Sequence, residues 1–341
     1  MGAIKENKPK NKLNLFLFIL LTLLLGILVF TRIREILTND SYGPYVNAAW
    51  NFVWNDKSIL NSHEGRTNIL VLGKSGEGHD SPELTDSIMI ASLDNEGVTL
   101  VSIPRDIWID DLKTKINSLY YYGQKRENDT GIAYARKEIE KLLNIPIHYV
   151  LVLDFEAFIE TVDVLGGVDV NVTSSFTDEK YPIEGMENDL CNGDPEFLCR
   201  YETISFEKGA SHMDGDAALK FVRSRNAEGD EGTDLARSAR QQLVFSAILN
   251  KFLSRDVLSS KESVESTWSV INSSIETDLD MNQLAVLART FYDYRKVIKT
   301  LSIPEDLFLN PPPSREYEYL YVFIPSGNWE NIRNWFSSIL N

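Results

Sequence analysis

The chain has 341 residues, room for one large domain or two small ones, and its 43% hydrophobic and 11% aromatic content excludes a disordered chain. Its 50 acidic against 34 basic residues leave a formal net charge of −16, which excludes duplex nucleic acid as a partner for the surface as a whole. An anionic substrate would therefore need a local basic site.

Residues 1–12 carry Lys5, Lys8, Lys10 and Lys12. Leu13 to Phe30 then runs without a charge, about the minimum needed to cross a bilayer core, and Arg32 and Arg34 follow. The lysines favour the cytoplasmic side, and no small-x-small cleavage pattern follows. The reading is a cytoplasmic tail (1–12), a retained transmembrane signal-anchor (13–31) and a spacer (32–65). This predicts a single-pass protein of the cell membrane, with its N-terminus cytoplasmic and all that follows extracytoplasmic. In the spacer, Tyr45, Trp50, Phe52 and Trp54 are expected to dock on the domain or rest at the membrane interface.

Asn68 to Gly73 reads as a buried strand that empties into the glycine-rich loop Lys74 to Asp80. Its backbone N–H groups could approach an anion, but it lacks both the Walker and the GxGxxG spacing. Ser87 to Leu93 and Val98 to Ile103 are strands joined by an Asp94–Gly97 turn, hence a hairpin. Asp86 and Arg105 thus fall at strand ends, where open α/β sheets place ligands. Ile132 to Leu143 is an amphipathic helix, His148 to Leu153 a strand, Phe155 to Leu165 a helix and Val168 to Val172 a strand. That alternation predicts a layered sheet with helices on its faces. His148 is assigned a structural role.

Thr173 to Ser211 reads as a polar surface excursion near the mouth of the site. It holds the two cysteines, Cys191 and Cys199, which are either a loop disulfide, if the domain is exported, or free thiols. With only four histidines and no second ligand pair, zinc is not expected. Asp214 to Phe221 is a short helix.

The stretch Phe221 to Gln242 holds four arginines. Arg223 and Arg225 are two apart, so in extended chain they point the same way. Gly229 and Gly232 mark a turn, and a helix starts at a Thr233 or Asp234 cap. On it Asp234, Arg237 and Gln241 share one face while Arg240 points elsewhere. The face continues as Val244, Ile248 and Phe252, so one stripe begins polar and ends apolar. Arginine forks and a helix N-terminus suit phosphate; a solvated helix with Asp–Arg pairs is the plainer alternative. Further on, Met281 to Tyr294 reads as a helix, Val297 to Ile303 and Tyr317 to Ile324 as strands, and Trp329 to Leu340 as a helix.

These motifs in order resemble the LytR-CpsA-Psr (LCP) family: Asn68-Ile-Leu-Val-Leu-Gly, Thr85-Asp-Ser-Ile-Met, Val101-Ser-Ile-Pro-Arg-Asp, Lys115-Ile-Asn, Asp163-Val-Leu-Gly-Gly-Val, Phe221-Val-Arg-Ser-Arg and Asp234-Leu-Ala-Arg-Ser-Ala-Arg-Gln-Gln. The resemblance implies an α/β fold, a three-layer α/β/α domain with a central mixed β-sheet behind one transmembrane helix. Residues 66–255 would form the catalytic domain and 256–341 would complete it. It further implies a phosphotransferase that moves a glycopolymer phosphate from a polyprenyl-pyrophosphate lipid to peptidoglycan or another envelope acceptor. Mg²⁺ (or Mn²⁺) would assist, with pyrophosphatase activity on the side. Arg105, Asp234 and Arg237 would be catalytic. Arg105, Arg223, Arg225, Arg237, Arg240 and Gln241 would hold the pyrophosphate. Asp86 would bind metal, helped by Asp80, because relatives often carry an acidic residue where this chain reads Gly73-Lys74-Ser75. Asp234 and Asp106 are the candidate bases. The competing reading is a non-catalytic anchored receptor for anionic polymer or lipid.

Overall fold

The computed structural model describes residues 43–77, 81–126, 130–295 and 297–340. The predicted transmembrane segment, like Asp80, lies outside these residues. Ten helices and fourteen strands are formed among the described residues. The strands are β1 (Thr67–Lys74), β2 (Thr85–Leu93), β3 (Val98–Ser102), β4 (Trp108–Ile109), β5 (Thr114–Lys115), β6 (Tyr149–Leu153), β7 (Val168–Val172), β8 (Phe176–Pro182), β9 (Tyr201–Phe206), β10 (Gly209–Met213), β11 (Glu276–Thr277), β12 (Ile298–Ser302), β13 (Phe308–Leu309) and β14 (Ile324–Pro325). The helices are α1 (Gly43–Trp54), α2 (Leu119–Gln124), α3 (Gly131–Leu143), α4 (Phe155–Val164), α5 (Gly215–Arg223), α6 (Asp234–Phe252), α7 (Arg255–Leu258), α8 (Lys261–Ser274), α9 (Met281–Tyr294) and α10 (Trp329–Leu340).

Six strands build the central mixed sheet, in the order β11-β6-β1-β2-β3-β12. β6 pairs parallel to β1, β12 parallel to β3, and β2 antiparallel to both of its neighbours. The carboxyl ends of β1, β3, β6 and β12 therefore share one edge of the sheet. Period-two alternation splits the strands between two cores. Leu70, Leu72, Ile88, Ile90, Val101 and Val150 face α2, α3 and α10. Ile69, Val71, Met89, Ala91, Leu100 and Tyr149 face α6 and α9. Each fully buried aliphatic side chain contributes about 1.5–3 kcal/mol, so both faces are needed to stabilise a sheet buried on both sides.

The helix starts are set by local chemistry. Thr130, Asp154, Asp214 and Thr233 each accept a hydrogen bond from the backbone N–H three residues on. Asp280 and Gln283 close a capping box on α9. In the predicted spacer, α1 docks on α9, with Asn51 Nδ2 donating to Asn282 Oδ1 at 3.0 Å. Phe52 packs inward against the second core, whereas Trp50 and Trp54 are each 63% exposed.

Two expectations need correction and a third gains detail. β7 does not return to the central sheet; it pairs with β10 in a two-stranded ribbon over a third core of α4, α5 and α6. Its alternating buried and exposed residues suit a ribbon with one solvated face. The excursion 173–211 is largely ordered as the β8–β9 hairpin, with Cys191 and Cys199 joined by a disulfide near its tip. Tyr317 to Ile324 is not a strand. It turns through a 3₁₀ segment and two left-handed residues; Phe323 then makes a single bridge to Ile107, and Ile324–Pro325 pairs with β13. Its alternating tyrosines mimic a strand, but β12 already occupies the sheet edge.

Candidate active site

The shared carboxyl edge of the parallel strands carries the charged groups. Gly73 of β1 pairs with Ser87 and Lys74 with Thr85, so Asp86 is the extra residue of a bulge. Bulges re-aim side chains beside functional sites, and here the bulge leaves the Asp86 side chain 44% exposed at the cavity mouth. Arg105 follows β3 and pairs through Nη1 with Asp86. Its Nε is buried without a hydrogen bond, 3.4 Å from Asp106 Oδ2. Burial works against the Arg105 charge, but Asp86, Asp106 and Asp234 more than offset it and raise its pKa.

The stretch from α5 to α6 supplies the other guanidiniums. Arg223 ends α5 and stacks 4.1 Å over the Phe155 ring. Ser224 to Asn226 then wrap a fully buried carboxylate: Asp178 Oδ2 accepts from Ser224 Oγ (2.8 Å) and from the N–H groups of Arg225 and Asn226 (3.1 Å each). The expected glycine turn is a 3₁₀ segment, Gly229–Gly232. A Cβ on Gly232 would sit 2.2 Å from the Ala227 carbonyl, so only glycine fits there. Helix α6 then presents Asp234, Arg237 and Gln241 on one face, all lining the same cavity as Arg223 and Arg225. Arg237 donates to Asp234 at 2.7 Å, and Gln241 accepts from Ser87 Oγ at 3.1 Å. Burial pulls the Arg237 pKa down to about 10; Asp234 opposes the shift, while Arg105 and Arg225 add to it.

Behind this charged mouth lies a cavity of about 1150 Å³. Its floor is one sheet face, with Ile69, Val71, Met89, Ala91, Leu151 and Leu153. Its roof comes from α6 (Phe245, Leu249, Phe252), α8 (Trp268, Ile271) and α9 (Leu284). At the far end of the sheet from the charges, Ala49 and Phe52 of α1 close the wall. The site therefore offers several cations for an anionic group and an apolar slot for a long hydrocarbon beside it.

The sequence model of the LytR_cpsA_psr family matches residues 46–334. The chain belongs to this family. The polyisoprenyl-teichoic acid–peptidoglycan teichoic acid transferase TagU of Bacillus mycoides (strain KBAB4) is 30% identical over 244 residues, covering 70% of this chain and 68% of its own length. TagV of Bacillus subtilis (strain 168), named for the same activity, is 28% identical over 260 residues, covering 73% of this chain and 58% of its own. The crystal structure of B. subtilis TagV aligns with a TM-score of 0.57 at 24% identity, over 82% of this chain and 98% of that one. TagT bound to LI-WTA aligns with a TM-score of 0.56 at 20% identity, over 83% and 94%. At such identities the structures speak to the fold alone: a mixed α/β domain with a central mixed sheet.

Within this LytR-CpsA-Psr domain, the geometry sorts the expected residues. Asp86, Arg105, Arg223, Arg225, Asp234, Arg237 and Gln241 come together at one mouth. Arg240 does not join them. Its guanidinium donates to the carbonyls of Phe221 (3.0 Å), Ser224 (2.7 Å) and Glu231 (2.9 Å) and to Glu231 Oε2 (2.9 Å), and it lies over the Phe176 ring. It is a buried clasp that fixes the arginine-bearing turn. Asp106 is no base either, being buried and paired with Lys115 at 2.7 Å. Val244 packs into the third core, and Phe245 and Leu249 line the slot in addition to Ile248 and Phe252.

Sequence reasoning missed Asp178 and Glu231, whose roles depend on contacts across the fold. It also missed Lys180 and Tyr321 at the mouth. Lys74, where the resemblance implied an acidic residue, pairs with Glu83 at 3.1 Å. His148 is structural, as expected: its Nδ1 accepts from Asn68 N at 2.9 Å, and burial lowers its pKa.

Among the described residues, the one cluster of three acidic, histidine or cysteine ligand atoms is Asp189 with Cys191 and Cys199, where the disulfide removes the thiolates. Asp86 shares the mouth with Asp154 and Asp234 but belongs to no such cluster among the described residues, so it would offer a metal a single carboxylate. Such a donor fits a magnesium ion that takes its remaining ligands from phosphate oxygens and water.

Proposed function

We propose that this protein is an extracytoplasmic transferase that moves a glycopolymer phosphate from a polyprenyl-pyrophosphate lipid to peptidoglycan or another envelope acceptor. The observation that carries this reading is the convergence of Arg105, Arg223, Arg225 and Arg237, from separate stretches of chain, at the mouth of one long apolar cavity. The named activity of the TagU and TagV relatives supports the same substrate class.

The pyrophosphate would sit among the arginines with its isoprenoid tail in the slot. Each methylene removed from water contributes about 0.8 kcal/mol, so the slot supplies much of the binding. An acceptor hydroxyl attacks the phosphorus that bears the sugar. A new oxygen–phosphorus bond forms, the phosphoanhydride bond breaks, and lipid monophosphate leaves. Phosphoryl transfer needs positioning and charge neutralisation more than covalent help. Arg105 and Arg237 would stabilise the charge that builds on the leaving phosphate. Asp234, half exposed beside Arg237, is the group available to take the hydroxyl proton. Asp86 would hold Mg²⁺ (or Mn²⁺), which supplies further charge neutralisation when bound. Water in place of the acceptor gives the pyrophosphatase side reaction.

Single-pass anchoring by residues 13–31 would hold the domain at the membrane that carries its lipid substrate. The exposed Trp50 and Trp54 of α1, close behind that segment, suit an interfacial position. The test uses the full-length protein in vesicles with a synthetic polyprenyl pyrophosphate bearing a disaccharide and a peptidoglycan acceptor. Arg105→Ala and Arg237→Ala should each lower transfer by a factor of about 10²–10³; unchanged turnover would remove both residues from the mechanism. Binding without turnover in the presence of Mg²⁺ would instead indicate a receptor.

A further inference from the structure

The segment 314–323 reaches the cavity mouth through Tyr321. It runs as a tight turn in which Tyr317 N and Tyr319 N both donate to the Ser314 carbonyl, at 3.1 and 2.8 Å. Glu318 and Tyr319 both adopt left-handed backbone, with φ of 54° and 59°. For a residue as bulky as tyrosine this conformation is strained, and strain of this kind is held only where the surroundings enforce it, often at functional sites. The enforcement is visible. Phe323 exchanges backbone hydrogen bonds with the loop that carries Arg105: its N–H donates to the Asp106 carbonyl (2.9 Å), and its carbonyl accepts from Trp108 N (2.8 Å). Val322 is fully buried, and Tyr317 packs edge-on against Trp108, with ring centroids 5.8 Å apart.

This anchoring costs conformational freedom and yet exposes apolar surface. Tyr319 is 70% exposed and Tyr321 54% exposed. Tyr321 lines the cavity mouth, within reach of the Asp234 charge, and packs edge-on against Phe323, with centroids 5.4 Å apart. Burial, followed by the charges of Asp234 and Asp106, raises its pKa, so it stays a neutral phenol. Rigid aromatic rings with one polar tip make large contacts at low entropic cost. A pyranose offers the matching chemistry: a face of C–H groups to lie on a ring, and hydroxyls for the phenol and nearby carboxylates.

We propose that Tyr321, held out by this rigid turn, forms a sugar-binding platform at the rim of the phosphate site. The platform holds pyranose rings that continue outward from the reacting phosphate or hydroxyl. The proposal rests on the transferase reading and names the surface that would recognise the glycan. Two sources share this chemistry, the sugars of the lipid-linked donor and those of the acceptor.

The experiment compares full-length Tyr321→Ala, Tyr321→Phe and unaltered protein in vesicles. One arm measures binding of a tetrasaccharide of β-1,4-linked N-acetylglucosamine by calorimetry and saturation-transfer NMR. A second measures KM for a polyprenyl pyrophosphate carrying an N-acetylated disaccharide. A third measures the thermal shift caused by bare polyprenyl pyrophosphate. A roughly tenfold weakening of tetrasaccharide binding in Tyr321→Ala, spared in Tyr321→Phe, assigns the platform to the acceptor. A rise of similar size in KM confined to the second arm assigns it to the donor. Unchanged values in both arms, or equal losses in the alanine and phenylalanine variants, overturn the platform. A bare lipid that gives no thermal shift to the unaltered protein counts against the transferase reading instead, and the tetrasaccharide arm still decides the platform.

Discussion

Arg237 tests whether the site is built for an anion. Its guanidinium is buried on the first turn of α6, with a pKa pulled to about 10 from an ordinary 12.5. At about 1.4 kcal/mol per pH unit, the charged form bears a cost on the order of 3 kcal/mol in the fold. That cost is present at every pH below about 10 and is relieved only above it. The attraction of half-exposed Asp234 is already contained in that net figure. Arg237→Ala therefore removes more penalty than attraction. The free protein should unfold at or above the temperature of the unaltered one, with some loss of packing set against the gain. The bound state should behave oppositely. A saturating diphosphate lipid, at a hundred times its Kd, stabilises the unaltered protein by about 2.7 kcal/mol; the variant should gain little of this. Transfer should fall by a factor of about 10²–10³, as when one preorganised charge-stabilising donor is removed. The measurements are thermal or urea unfolding with and without polyprenyl pyrophosphate, and initial rates of transfer. A variant that loses more than about 3 kcal/mol as the free protein while keeping its transfer rate would refute the reasoning, because Arg237 would then be a structural arginine.

The neighbouring Arg240→Ala should give the reverse pattern: a loss of about 3–5 kcal/mol in unfolding stability, since buried carbonyls and Glu231 are left without a partner. Diphosphate affinity should hold steady from pH 7 to 9 and fall as pH rises through about 10, where Arg237 loses its proton; titration by calorimetry across that range checks it. Ala288→Trp, on the α9 wall of the slot, should block long isoprenoid substrates while sparing short-chain pyrophosphates, measured as a split in KM with chain length. Replacing both Cys191 and Cys199 by serine removes a staple that closes an eight-residue separation, worth about 2.5 kcal/mol in the chain-entropy account. The effect should be confined to the hairpin tip in hydrogen exchange, with transfer unaffected.

How legible all this is in the sequence depends on how far apart the interacting residues lie. The cap and stripe of α6 could be read directly, because Thr233, Asp234, Arg237 and Gln241 interact within two turns of one helix. The β2–β3 hairpin was equally plain, since Asp94 satisfies the turn by accepting from the N–H groups of Glu96 and Gly97. Asp178 was not legible. It lies in a strand 46 residues before Ser224, and nothing local distinguishes it from the other acidic residues of a polar excursion. The strand at β7 was read correctly as a strand, but its placement was not: helix α4 between β6 and β7 suggests a crossover in one sheet, and only the pairing with β10 reveals the ribbon. The turn at 314–323 failed for a different reason. Alternating tyrosines satisfy a strand pattern, and the left-handed residues Glu318 and Tyr319 are not of the type that announces such a conformation.

The coupling of charge to hydrocarbon in this domain follows from the pitch of one helix across one sheet. The parallel strands end together, so their carboxyl edge gathers Lys74, Arg105 and Asp154 without any long-range design in the loops. Helix α6 begins at that edge and runs back over the strands. Its first two turns meet the charged groups and its later turns meet Val71 and Met89 on the sheet face. A single periodic stripe that turns from Asp234 and Arg237 to Ile248 and Phe252 is then sufficient to set a diphosphate grip beside an apolar slot. The turn behind Arg240 and Asp178 fixes the remaining variable, the direction in which Arg223 and Arg225 leave α5. Specificity for a particular polymer must accordingly reside outside this frame, in the rim segments that the stripe does not touch.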